Sequence, residues 1–158
     1  MHSLFPAWPN NAASFGLLCL RLVAGIAMML HGLAKFQSPG GWMGWMGEAI
    51  PGFLQGLAAA AEFGVGLAWV VGLLTPLVST VLAINMVVAL LMVSIPKHLP
   101  LVANPGQSSS ELAWMYLVIA ALLATNGPGR FSLDRLIFQR DYVGDPLTAR
   151  DGAPNIRL

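Results

Sequence analysis

Three apolar stretches, residues 15–36, 54–74 and 76–95, set the limits on what this chain can fold into. Each holds about 20 residues, and a helix of that length rises about 30 Å, enough to cross the hydrocarbon core of a bilayer. A fourth stretch, residues 111–126, is shorter. The chain is 56% hydrophobic and 9% charged, with a mean hydropathy of +0.70. Soluble domains carry roughly 25% charged residues, and so few charges could not cover a soluble surface. The expected fold is therefore all-α: an integral membrane four-helix bundle in a lipid bilayer. A leader (residues 1–14) precedes a transmembrane domain (15–138), and a polar tail (139–158) follows. No Lys or Arg precedes Arg21, so the first stretch lacks the basic flank of a signal peptide and reads as a retained helix.

Local chemistry sets the boundaries. Pro39, Gly40 and Gly41 break helix one. Thr75 before Pro76 places a cap residue ahead of a first-turn proline, so helices two and three form a tight hairpin. Pro96 and Pro100 end helix three, and Asn126, Gly127 and Pro128 end helix four. Ser108 and Glu111 fit a capping box at the start of helix four. In the 41–51 connection, Trp42 and Trp45 are spaced to share a face of a short helix at headgroup level. Beyond helix four, Phe131, Leu133, Leu136 and Ile137 alternate with Asp134 and Arg135, the pattern of a short interfacial helix. Gly56, Ala60 and Gly64 repeat at the spacing of a close helix-packing face.

Arg130, Arg135 and Arg140 outnumber Lys35 and Lys97 on the other side, which places both termini in the cytoplasm. The expected location is the cell inner (plasma) membrane. Net charge is +1, which provides no field for nucleic acid. The one cysteine, Cys19, allows no internal disulfide and no CxxC redox motif. Electrons for any redox chemistry must come from a partner or a bound small molecule.

Ionisable groups inside a membrane are costly, by roughly 2.5–3.5 kcal/mol for Arg, Lys or Asp at a helix centre, so each needs an explanation. Arg21, His31, Lys35 and Glu62 lie in apolar stretches, and Asn85 lies midway along the third. At about 1.5 Å per residue, Arg21 falls roughly 9 Å, Asn85 roughly 14 Å and Glu62 roughly 18 Å from the cytoplasmic side. Arg21 and Glu62 are then either a structural pair or the polar end of a ligand pocket. His31 and Lys35 are four apart, hence on one face near the outer end. They either snorkel to helix-end carbonyls or grip a carbonyl or anion. His98 and Glu111 fall at about the same level. No metal site is assigned, although His31, His98 and Glu111 are the residues that would form one. No residue is assigned catalysis.

The ordered segments LRL (20–22), HGLAKF (31–36), AEFGVGL (61–67), GLLTP (72–76), KHLP (97–100) and GPGRFSLDRLI (127–137) resemble the DoxX family of membrane proteins. That resemblance implies a four-helix membrane bundle and places Arg21, His31, Lys35, Glu62 and Glu111 among the family's polar motif residues. Family members are linked to a thiosulfate:quinone oxidoreductase, oxidative stress and thiol homeostasis. The expectation is a membrane component of a quinone-linked oxidoreductase, or of an oxidative-stress or thiol redox system. A quinone or similar amphipathic molecule would bind at Arg21, His31, Lys35, Glu62, Asn85, His98 and Glu111, with no covalent cofactor. A soluble oxidoreductase would donate electrons. The alternative is a non-enzymatic carrier or scaffold; a carrier with four short-looped helices would need to form a homo-oligomer.

Overall fold

A computed structural model describes residues 10–37 and 51–138. Among them every regular element is helical: α1 (Asn11–Phe36), α2 (Gly52–Val71), α3 (Thr75–Ala89), α4 (Glu111–Asn126) and α5 (Leu133–Phe138). A π-helical turn, Leu90–Ser94, continues α3. Among the described residues, three helices are long and apolar enough to span a membrane: α1, α2 and Thr75–Ser94. The apolar α4 is shorter, with the bounds read from sequence. The expected Trp42/Trp45 helix and the polar tail lie outside the described residues, as does most of the leader.

The differences at helix ends have local causes. Helix α1 starts at Asn11, not at residue 15, because Asn10 caps it by accepting from the Ala13 amide at 2.8 Å. Helix α2 stops at Val71 because Gly72 turns left-handed (φ 71°) and its amide closes on Ala68. Thr75 is not the cap of α3. Leu74 holds that position, and Asp134, 60 residues on, supplies the acceptor: Oδ1 takes the Leu74 amide at 2.5 Å and Oδ2 the Thr75 amide at 2.8 Å. Nor does the Ser108–Glu111 box form. The cap of α4 is Ser110, whose hydroxyl instead donates to the Pro100 carbonyl at 3.1 Å.

Helices α1 and α2 pack antiparallel through glycines. A Cβ at Gly66 would lie 2.6 Å from the Gly25 carbonyl oxygen, and one at Gly32 would lie 2.5 Å from the Phe63 amide. The close-packing face of α2 thus runs through Ala59 and Gly66. The Gly56, Ala60 and Gly64 face was the wrong choice: Ala60 and Gly64 are exposed, with open space beyond Gly64. Helices α3 and α4 form a second packed pair, and α2 also meets α3. Between the pairs sit Met28, Trp69, Leu82, Tyr116 and Leu123. The Trp69 indole N–H donates to the Ser79 hydroxyl at 2.9 Å, so the largest buried ring carries no unmet donor. Outward-facing residues such as Val23, Leu30, Ile84 and Val118 are each at least 60% exposed, the apolar exterior of a protein solvated by lipid.

The segment after α4 braces one end of the molecule. The Arg130 amide donates to the Ser14 hydroxyl at 3.1 Å, and the Asp134 amide to the Gly72 carbonyl at 2.8 Å. Arg21 Nη2 donates to the Phe131 carbonyl at 2.6 Å. Asp134 is fully buried, whereas Phe131, Leu136 and Ile137 are exposed. The α5 pattern therefore faces the reverse way for its carboxylate, which turns inward to cap α3.

Candidate functional site

The other end of the molecule carries a cavity of about 790 Å³ between the α1–α2 and α3–α4 pairs. Its walls are mostly aliphatic. Leu57, Val81, Ile84 and Met92 line it and are also exposed, so it communicates with the lipid-facing surface. The volume lies within the roughly 300–1,000 Å³ typical of small-molecule sites, and a few polar groups converge on an apolar wall, as such sites require.

Glu62 is the centre of that polar group. It sits near the middle of α2 and is 4% exposed. Lys35 of α1 forms an ion pair with its Oε1 at 2.5 Å, and the Asn85 side-chain amide of α3 donates to the same oxygen at 3.3 Å. Glu62 Oε2 is buried and has no hydrogen-bond partner among the described residues. Two helices thus point donors at one oxygen of a carboxylate carried by a third, and its twin is left without a partner among the described residues. In a low-dielectric interior a charge survives only with such partners.

His31 lies one turn before Lys35 and lines the same cavity. Its Nδ1 stands 2.9 Å from the Ala27 carbonyl. A carbonyl only accepts, so Nδ1 carries the proton and, in the neutral ring, Nε2 is an acceptor. The ring meets Tyr116 edge-on, with centroids 6.2 Å apart. His31 therefore does bond a backbone carbonyl, while Lys35 reaches across to another helix rather than snorkelling.

Of the residues expected at a site, His31, Lys35, Glu62 and Asn85 come together on one cavity. Arg21 does not join them. A side chain at Gly72 would run into the Arg21 guanidinium, and Gly72 lies ten residues, about 15 Å of helix rise, beyond Glu62. The antiparallel register set by Gly25 against Gly66 keeps Arg21 at the braced end. The expected Arg21–Glu62 pair is thus replaced by Lys35–Glu62 and by Arg21 on Phe131. His98 and Glu111 are exposed and do not line the cavity. Among the described residues, no three His, Cys, Asp or Glu side chains converge as a metal site.

Sequence reasoning missed Gln55, Tyr116 and Ser94, which also line the cavity. Gln55 was legible as a lone amide in an apolar stretch, and Tyr116 as a phenol inside helix four. The π turn that carries Ser94 had no sequence signal; such turns recur at functional sites.

The DoxX family model matches residues 16–95, which hold most of α1, all of α2 and the whole third span, and with them Lys35, Glu62 and Asn85. A Bacillus subtilis (strain 168) protein named "Putative oxidoreductase CatD" is 28% identical over 137 residues, covering 86% of this chain and 97% of that relative. An "Uncharacterized membrane protein Rv3486" of Mycobacterium tuberculosis is 26% identical over 151 residues, covering 87% of this chain and 93% of its own length. No solved structure matches the chain at a significant level.

Proposed function

The chain belongs to the DoxX family of membrane proteins, and on that premise we propose that it is the membrane component of a quinone-linked oxidoreductase or thiol redox system. It binds a quinone or similar amphipathic molecule in the cavity beside Glu62. One observation carries this reading: a lipid-accessible apolar cavity with the Lys35–Glu62–Asn85 cluster and His31 on its wall. A lipid-soluble ring enters from the bilayer, its tail stays among Leu57, Val81 and Ile84, and its oxygens meet the polar cluster. The oxidoreductase name of the Bacillus subtilis relative supports the redox part of the reading.

The spans assemble as a four-helix bundle in the plasma membrane. The Arg130 and Arg135 end, with α5 lying at the interface on its exposed Leu136 and Ile137, faces the cytoplasm. Reduction of a quinone takes two electrons and two protons. A soluble oxidoreductase supplies the electrons, because the single Cys19 cannot form a dithiol pair. Lys35 and His31 orient the ligand, with Lys35 the proton-bearing group beside it and the Nδ1 proton of His31 held by the Ala27 carbonyl.

The test is the organic extract of protein purified from native membranes, analysed by mass spectrometry, followed by refilling with decylubiquinone. The expected result is a stoichiometric quinone-type lipid, with occupancy reduced about tenfold in His31→Ala at matched folding. Equal occupancy in wild type, His31→Ala and Lys35→Ala overturns the reading and leaves a scaffold. Solute uptake by reconstituted vesicles, with no quinone bound, would instead identify a carrier.

A further inference from the structure

Tyr116 brings a phenol from α4 to the cavity wall, opposite the polar groups of α1, α2 and α3. The residue is 6% exposed and packs into the core between the helix pairs. A tyrosine buried to that degree ordinarily finds a hydrogen-bond partner for its hydroxyl. Among the described residues, the polar interactions of Tyr116 are the edge-on contact with the His31 ring and the charge of Glu62. Neither is a hydrogen bond. The enclosed side-chain atoms without a partner belong to Arg21, Glu62 and Thr75. The Tyr116 oxygen is not one of them, so it keeps accessible surface, and the surface that Tyr116 lines is the cavity.

The hydroxyl is therefore a buried hydrogen-bonding group whose partner must come from whatever fills the cavity. Its ring is fixed by core packing and by His31, so the oxygen is held in place without a ligand. Ser94 is the other buried hydroxyl residue on the wall. It lies nine residues beyond Asn85, roughly 13 Å of rise along the third span, and so is not level with Glu62.

We propose that Tyr116 is a specificity-determining residue of the cavity, whose hydroxyl hydrogen-bonds an oxygen of the bound molecule and ties it to α4. This rests on the quinone-type reading above and adds a contact from the fourth helix. A phenol both donates and accepts. It meets a quinone carbonyl as a donor and a quinol hydroxyl as either, so it selects for an oxygen at this position and not for one oxidation state. A hydrocarbon of the same shape leaves the hydroxyl unmet, which is the costly arrangement for a buried polar group.

The experiment compares three ligands: decylubiquinone, decylubiquinol kept reduced under anaerobic conditions, and decylbenzene, which has no oxygen. Each is titrated against the purified full chain in detergent, and the retained ligand is extracted and quantified by chromatography. Wild type is expected to hold both oxygen-bearing ligands at least about fivefold more tightly than decylbenzene, the equivalent of one neutral hydrogen bond. Tyr116→Phe keeps the ring against His31 and removes only the oxygen. It is expected to weaken decylubiquinone and decylubiquinol by about fivefold and to leave decylbenzene unchanged. An equal loss of all three ligands makes Tyr116 a packing residue and overturns the proposal. Unchanged binding of the oxygen-bearing ligands in Tyr116→Phe overturns it too, while leaving a quinone-type site. Wild type that does not distinguish decylbenzene from the other two overturns it whether or not the variant folds. Failure of wild type to bind decylubiquinone or decylubiquinol overturns both readings.

Discussion

Lys35 and Glu62 meet at 2.5 Å across the α1–α2 interface, and the carboxylate oxygen they share is also the one that Asn85 approaches from α3. The Glu62 side chain is 5% exposed and that of Lys35 is 24% exposed. The pair is therefore asymmetric. A bare Glu62 would be a buried charge without compensation, whereas a bare Lys35 can still reach a wetter environment.

Single removal should therefore be unequal. Lys35→Met should cost about 3 kcal/mol, the lower end for breaking a buried pair, and Glu62→Gln should cost less. The double variant should lose less than the sum, and the cycle is read from melting temperatures in detergent. Strict additivity would show that the two side chains do not support one another.

The sequence made the helices and part of this site legible for separate reasons. Hydrophobic length marked the spans, and the four-residue spacing of His31 and Lys35 put them on one cavity wall. Partner choice was not legible. Depth along each helix suggested Arg21 for Glu62, but depth contains no information about helix register, which depends on which glycines meet. Gly25 against Gly66 decides that question, and the visible Gly56–Ala60–Gly64 spacing pointed to the wrong face. Asp134 was also misread, because its role as a cap for α3 depends on a contact 60 residues away.

The glycine contacts give a paired prediction. Gly66→Ala places a methyl group 2.6 Å from the Gly25 carbonyl oxygen and from the Met29 amide, both backbone atoms that cannot turn aside. The helices must separate, at a cost of about 1–3 kcal/mol. Gly64→Ala meets nothing within 4 Å and gains helix propensity, so its melting temperature should stay level or rise. Equal losses in the two variants would mean that the α1–α2 register differs from the one described.

Topology can be tested with single cysteines in a Cys19→Ala background. Ser108 lies exposed in the connection between the π turn and α4, and Ser132 lies in the brace after α4. With three arginines near the second position, a membrane-impermeant thiol reagent on intact cells should label Ser108→Cys and spare Ser132→Cys. The opposite pattern would invert the bundle and move the cavity to the cytoplasmic half.

The braced end should be separable from the cavity. Asp134 satisfies two amides at the start of α3, and Arg21 ties α1 to the Phe131 carbonyl. Asp134→Ala leaves both amides unmet and should cost about 2 kcal/mol, the upper end for a lost helix cap. Asp134→Asn keeps one side-chain acceptor and should recover about half of that. Arg21→Met loses a charge-assisted bond worth about 1.5–3 kcal/mol, but it also removes the desolvation cost of a guanidinium whose Nε and Nη1 have no partner among the described residues. Its net effect should therefore be smaller than that of Asp134→Ala. Because Arg21 and Asp134 attract one another, the double variant should fall short of additivity. None of these changes touches a cavity-lining residue, so quinol and quinone binding should match wild type at temperatures where each variant is folded. A loss of ligand in Arg21→Met at matched folding would return Arg21 to the binding site and break the division between a braced end and a ligand-binding end.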